Sequence, residues 1–381
     1  MLSTNIKVNW KKRISTGALF LILFACVDRL DFTSTSNDER IIIEGMISDS
    51  PGSYTVKIYK SLSLNADTVI RDPIQNATVT LYDDEGHSEV LSEATPGIYV
   101  TDSVIQGKVG HSYFIQIVTS DGKKFESEPD MIVPGGEVQD IRFEYEARSV
   151  EKSYGVVDAN IFNVYIDADV PRTSNGEGES YVRWRYTGTF KVVTRPELHR
   201  TFGGASYYST PVPCSGYVVD PALGGGVLRQ VSECTCCECW ANLYESLPHL
   251  SDKQFINGNL FSNVKVAEVP VNSNTFTEKF MVEVEQMSLT KKAFTFFQSI
   301  RAQKEGATSL FQPPYAEIKG NIKATNSDSP VLGLFWATSV TSKYIFIQRS
   351  DVPYKLTPPD FVADACTTFP NSSTTKPAFW E

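Results

Sequence analysis

Ser180-Tyr-Val-Arg-Trp-Arg-Tyr-Thr-Gly-Thr-Phe-Lys-Val192 alternates almost without a break. Successive side chains of an extended chain point to opposite faces. Tyr181, Arg183 and Arg185 therefore share one face, and Val182, Trp184 and Tyr186 share the other. The second face is apolar and must be covered. The first presents two guanidinium groups, candidates for contact with a ligand or partner; a structural ion pair is the simplest role for each. Gln139–Glu146 and Asn160–Asp169 show the same period. Within the latter, Asp167 and Asp169 project to one side and read as solvated strand residues. A mainly β chain follows.

Working outward, residues 40–134 read as a β-sandwich. Arg40–Ile47, Tyr54–Lys60, Ala77–Tyr82, Gly97–Val100 and His111–Val118 are short strand-like runs, and Asp121-Gly122 is a tight hairpin turn. Pro129, Pro134, Gly135 and Gly136 close that unit. Residues 137–350 form a larger β-rich domain with one main amphipathic helix near 288–304, capped by Ser288 or Thr290. Leu289, Ala293, Phe296, Phe297 and Ile300 make its apolar stripe. Phe276–Met287, Glu317–Ile322, Gly333–Val340 and Ser342–Ile347 complete the strand-like set, while Ser174–Glu179 and Gly224–Gly226 are loops. Residues 351–381 carry little strand pattern and many Pro, Ser and Thr.

The amino end decides compartment. Lys7, Lys11, Lys12 and Arg13 precede an apolar run from Ile14 to Ala25, which stops at Cys26. That run is shorter than the roughly 18–20 residues a spanning helix needs. A basic start, a short apolar core and a small residue before the cut form a secretory signal, here residues 1–25, with Cys26 as the lipidated residue. Two or more acyl chains at Cys26 anchor stably. Residues 26–39 are a polar tether, and Asp28 is compatible with display at the cell surface. The expected location is the outer membrane, with no cofactor beyond the lipid.

The chain has 381 residues and a net charge of −10, so nucleic acid is not an expected partner. Besides Cys26 there are six cysteines: Cys214, Cys234, Cys236, Cys237, Cys239 and Cys366. The even number and the exported compartment favour disulfides. Four clustered thiolates could instead hold zinc or copper(I), which leaves a metal role open. Adjacent Cys236 and Cys237 cannot pair easily, because neighbouring Cα atoms lie about 3.8 Å apart and a disulfide needs roughly 4.4–6.8 Å. Bridges from the cluster to Cys214 or Cys366 would tie the carboxyl-terminal tail to the body.

No GxSxG, HExxH, Walker or kinase set occurs, and four histidines are little raw material for a triad. The expectation is a protein that is not an enzyme, with no catalytic, cofactor-binding or metal-ligating residues assigned. The acidic turn Asp83-Asp84-Glu85 is a possible Ca²⁺ loop, but reads first as a hairpin tip.

Several strings, taken in order, carry a resemblance. They are Ile43-Glu44-Gly45, Tyr54-Thr-Val, Ala77-Thr-Val-Thr-Leu, Gly97-Ile-Tyr and Tyr181-Val-Arg-Trp-Arg-Tyr. The helix opening Ser288-Leu-Thr, Phe311-Gln-Pro-Pro, Gly320-Asn-Ile, Gly333-Leu-Phe-Trp-Ala-Thr-Ser, Cys366 and Lys376–Trp380 follow. Together they resemble a family of Bacteroidota outer-membrane lipoproteins known as domain of unknown function 4249. The resemblance implies an accessory or substrate-capture subunit of a TonB-dependent outer-membrane transporter, and brings no catalytic residues. Residues 40–134 are also similar to carboxypeptidase-regulatory or transthyretin-like sandwiches. The alternatives are an autonomous glycan- or peptide-binding or adhesion lipoprotein and, after these, a cell-envelope hydrolase or metal-binding protein.

Overall fold

The alternation at Ser180–Val192 becomes the long strand Tyr181–Val193, with Val182, Trp184 and Tyr186 buried as their face requires. A computed structural model describes residues 40–61, 72–153, 155–171, 180–223, 226–257, 259–306, 318–356 and 362–380. The signal segment, Cys26, the tether, the 174–179 loop, Gly224-Gly225 and Phe311–Pro314 lie outside the described residues. The chain is mainly β, with one α-helix among the described residues.

Two sandwiches are built. In the first, one sheet runs in the order Val331–Thr338, Ile41–Ser48, Thr55–Lys60, Ile98–Val100, Ser92–Thr95. The facing sheet runs Ile322–Ala324, Lys124–Ser127, Ser112–Val118, Thr78–Asp83, Ser88–Val90. Ile43, Ile47, Val56, Ile58 and Tyr99 from one sheet meet Val79, Leu81, Ile115, Ile117 and Phe125 from the other. In the second sandwich, Val138–Glu146, Ile161–Asp169 and Leu260–Pro270 face a sheet ordered Val340–Gln348, Lys279–Leu289, Tyr181–Val193, Glu238–Tyr244, Ser372–Ser373. Trp184 lies in this core, edge-on to Phe261 at 5.1 Å, and its indole Nε1 donates to Gln286 Oε1 at 2.7 Å. Gln286 Nε2 donates across to the Asp169 carbonyl, so this buried amide is satisfied at both ends.

The expected division at residues 134–137 needs a correction at the far end. The sequence reading placed all of 137–350 in the second unit. The structure sends Ile322–Ala324 and Val331–Thr338 back to the first sandwich, one to each sheet. Val331–Thr338 lies parallel to Ile41–Ser48 from Ile41↔Val331 to Ser48↔Thr338. The cause is two-sided burial. Phe335 and Ala337 enter the first core, while Leu334 and Trp336 enter a separate cluster beneath the helix. Strands buried on both faces read as continuous apolar runs, as this one does. Gly333 makes the approach possible: its φ is +122°, and a Cβ there would stand 1.8 Å from the Ile43 carbonyl oxygen.

The helix spans Lys291–Gly306 and follows directly on the strand Lys279–Leu289. Thr290 is the cap, its Oγ1 accepting from Ala293 N at 3.3 Å. Ser288, the other cap candidate, is buried in the strand, where its hydroxyl donates to the Val133 carbonyl and accepts from Ser339 N. Leu289, Ala293 and Phe297 are buried as the stripe requires.

Candidate functional site: a cationic, apolar cleft between the sandwiches

A cleft of about 1000 Å³ opens where the two sandwiches meet. Its floor is the outer face of the first sandwich: Ile42, Glu44 and Met46 from one strand, Lys57 and Tyr59 from the next, Leu332, Leu334 and Trp336 from the closing strand. The helix supplies Phe296, Phe297, Ile300 and Gln303, and Arg183 and Arg185 form the wall toward the second sandwich. Alternation explains this placement. Trp184 points into its own core, so its two arginine neighbours point out, toward the helix and the first sandwich.

Both arginines are paired. Arg183 Nη2 bonds Glu245 Oε1, and the guanidinium carbon lies 4.4 Å from the centroid of the Phe297 ring. Arg185 grips Glu285 through Nε at 2.5 Å and Nη2 at 3.0 Å. Burial pushes the Glu245 carboxyl up from its ordinary value, against the pull of Arg183. For Arg185, burial works against the charge, but Glu285 outweighs it and the guanidinium is held above its usual value. Among the described residues, Arg183 Nε and Glu245 Oε2 are buried without hydrogen-bond partners. Such a pair holds geometry more than it adds stability. Each arginine thus makes an ion pair on one side and lines the cleft on the other.

At the floor, Tyr59 Oη donates to Glu44 Oε1 at 2.7 Å. Lys57 makes no ion pair among the described residues. The sequence did not mark Glu245 or Glu285 as partners. Glu285 was readable in principle, because Arg185↔Glu285 is an in-register cross-strand pair. Glu245 follows the end of its strand, where no period specifies it.

The six cysteines lie at the far end of the second sandwich. They join as Cys214–Cys236, Cys234–Cys237 and Cys239–Cys366, with Cα separations of 5.7, 5.8 and 5.6 Å. Cys239 and Cys366 are wholly buried with Val192 and Ala241, and Cys366 N donates to the Cys236 carbonyl. All six sulfurs are engaged in this way. Beyond it, the hairpins Arg200–Ser209 and Tyr217–Gln230 expose Phe202, Tyr207, Tyr208, Val218, Val219 and Leu223.

The acidic turn is a hairpin tip. Asp83 Oδ1 accepts from the backbone of Glu85 and His87, and its Oδ2 lies 2.8 Å from His87 Nδ1. Asp83, Glu85 and His87 bring potential ligand atoms within 4.8 Å of one another on an exposed surface. The His111 ring beside Asp84 holds that carboxyl below its usual range. Asp167 is taken by Arg142 and by Asn263 N, and Asp169 by Gln139. Among the described residues no helix is long and apolar enough to cross a membrane.

No curated protein and no solved structure matches the chain. The sequence model of one family, described as "Domain of unknown function (DUF4249)", matches residues 27–344.

Proposed function

We propose that this chain, which belongs to the DUF4249 family, is a lipid-anchored outer-membrane accessory protein that captures a ligand in the cleft beside a TonB-dependent transporter. The cleft carries the reading. A concave, mainly apolar site with a few convergent charged groups is what small-molecule binding sites share. A binding role suits this lining, whose two arginines are held in place by carboxylates. The signal and Cys26 support an anchored position in the outer membrane, and the tether supports reach from it. The apolar hairpins around Phe202 and Tyr207 give a partner a surface to cover, since contiguous exposed apolar residues of this kind mark interaction sites.

The test is affinity purification of the full-length chain from crosslinked membranes of its own cells, with Cys26→Ala in parallel. The expected result is a β-barrel transporter recovered with the wild-type protein, and loss of the variant from the membrane fraction. Recovery of a bound ligand with no barrel would refute the transporter role and leave an autonomous binding or adhesion lipoprotein. A Cys26→Ala chain that stays membrane-bound would refute the anchor.

A further inference from the structure

We infer that the cleft takes an amphipathic anion: a single carboxylate or phosphate-type head on an aliphatic or aryl body. This rests on the cleft being the binding site. The charge placement is the first ground. A chain of net charge −10 lines one cleft with Arg40, Lys57, Arg183 and Arg185 against a single lining carboxylate, Glu44. That carboxylate already accepts from Tyr59. Glu245 and Glu285 offset part of the charge of the two arginines, but the groups facing the cleft are still mostly cationic, and such a lining attracts an anion.

The second ground is which donors remain. Arg185 uses one edge of its fork, Nε and Nη2, on Glu285, and Arg183 uses Nη2 on Glu245. Nη1 of each arginine and the Lys57 ammonium have no partner among the described residues. Guanidinium edges match the planar oxygens of carboxylates and phosphates. A cationic ligand would meet these groups head-on.

The third ground is the floor. Met46, Leu332, Leu334, Trp336 and Ile300 present aliphatic and aromatic surface, while the uncharged polar side chains of the lining are Ser53, Tyr54, Thr55, Tyr59 and Gln303. A sugar would leave many hydroxyls unpaired against such a wall, at a cost for each. A hydrocarbon or aryl body would bury there, with its charged end at the arginines. The volume stands at the upper end of the roughly 300–1,000 Å³ typical of ligand pockets, enough for a body of substantial length.

Calorimetric titration with octanoate, octyl phosphate, octanol and octylamine tests this, using the full chain carrying Cys26→Ser so that no acyl group of its own competes. At least about tenfold tighter binding of an anion than of octanol is expected, the scale of one charge-assisted hydrogen bond. The two anions separate a carboxylate source from a phosphate source. Lys57→Gln should weaken the anion, and so should the double variant Arg183→Gln with Glu245→Gln, which leaves no buried charge unpaired; anion binding unchanged in both would overturn the assignment of these donors. Octanol or octylamine binding as tightly as the anions would overturn the anionic ligand while leaving the cleft reading intact. Binding that survives Gln303→Trp, an exposed helix position whose indole would fill the cleft, would overturn both.

Discussion

Val331–Thr338 and the tail strand Ser372–Ser373 have the same task, joining a late segment of chain to the edge of a sheet made earlier, yet they are held by different means. The first pairs along eight residues and feeds two apolar clusters. Asp130 reinforces it from below, its Oδ2 accepting from Ala337 N and its Oδ1 from Thr290 Oγ1 at the helix cap. Asn321 covers its outer edge, bonding both the N–H and the carbonyl of Phe335. The tail strand pairs through only Trp240↔Ser373 and Ala241↔Ser372, and is held by Cys239–Cys366. Burial and hydrogen bonds suffice where the contact is long. Where it is two residues long, a covalent bond takes their place.

The largest expected effect separates the two mechanisms. Replacing Cys239 and Cys366 together by Ser opens a bridge between residues 127 apart. In the chain-entropy account this costs about 5 kcal/mol. Residues 366–380 should lose protection from proteolysis while the first sandwich keeps its protection. A tail that stays protected would show that Trp380, buried 6.0 Å from the Phe346 ring, is the true attachment.

Phe335→Ala attacks the other closure. Truncating a buried phenylalanine costs about 3–5 kcal/mol, and the loss should appear in denaturant unfolding of the first sandwich with the disulfides intact. A shift below about 1 kcal/mol would mean that the strand's hydrogen bonds, and not its side chains, close the sheet.

Acid should act on the non-covalent closure. His249, paired with Trp184 beside the cluster that holds Trp336, is pushed down to about 4 by burial, with Arg301, Lys265 and Arg183 adding to it and Glu268 opposing. The unfolded chain binds this proton more readily, so stability is full above about pH 6.5 and falls as pH drops toward 4. The loss is on the order of 3 kcal/mol. Glu245, whose carboxyl is pushed up, acts with the opposite sign. His249→Gln should flatten the profile measured by denaturation between pH 7 and 4; an unchanged slope would assign it to other groups.

The smallest effect belongs to Cys234–Cys237, which closes a loop of sequence separation 3. Its removal by a double Ser substitution should cost about 2 kcal/mol or less and leave the tail in place, as read by melting temperature and proteolysis.

Much of this was legible at Ser180–Val192, where a period of two set out which residues enter the core and which reach the cleft. The helix stripe was equally plain, because a period of 3.6 is a local property. Its start was not, since Ser288 and Thr290 are both acceptable caps and only the register of the preceding strand excludes Ser288. The cleft was hidden for a related reason. Its floor, helix and wall come from segments near 42–59 and 332–336, 296–303, and 183–185, and no string states which distant face another will meet. Gly333–Val340 read only as strand-like, because its burial on both sides and its parallel pairing with residues 41–48 depend on partners far away in sequence.

That pairing has a consequence for biogenesis. Asp49 and Ser339 bond across 290 positions of sequence. A polypeptide delivered amino end first presents Ile41–Ser48 early and receives its neighbour almost last. In the interval the nascent sheet carries an open hydrogen-bonding edge, a template for aggregation. That edge stays open until residues 331–338 arrive, so a chain truncated before them is expected to expose it.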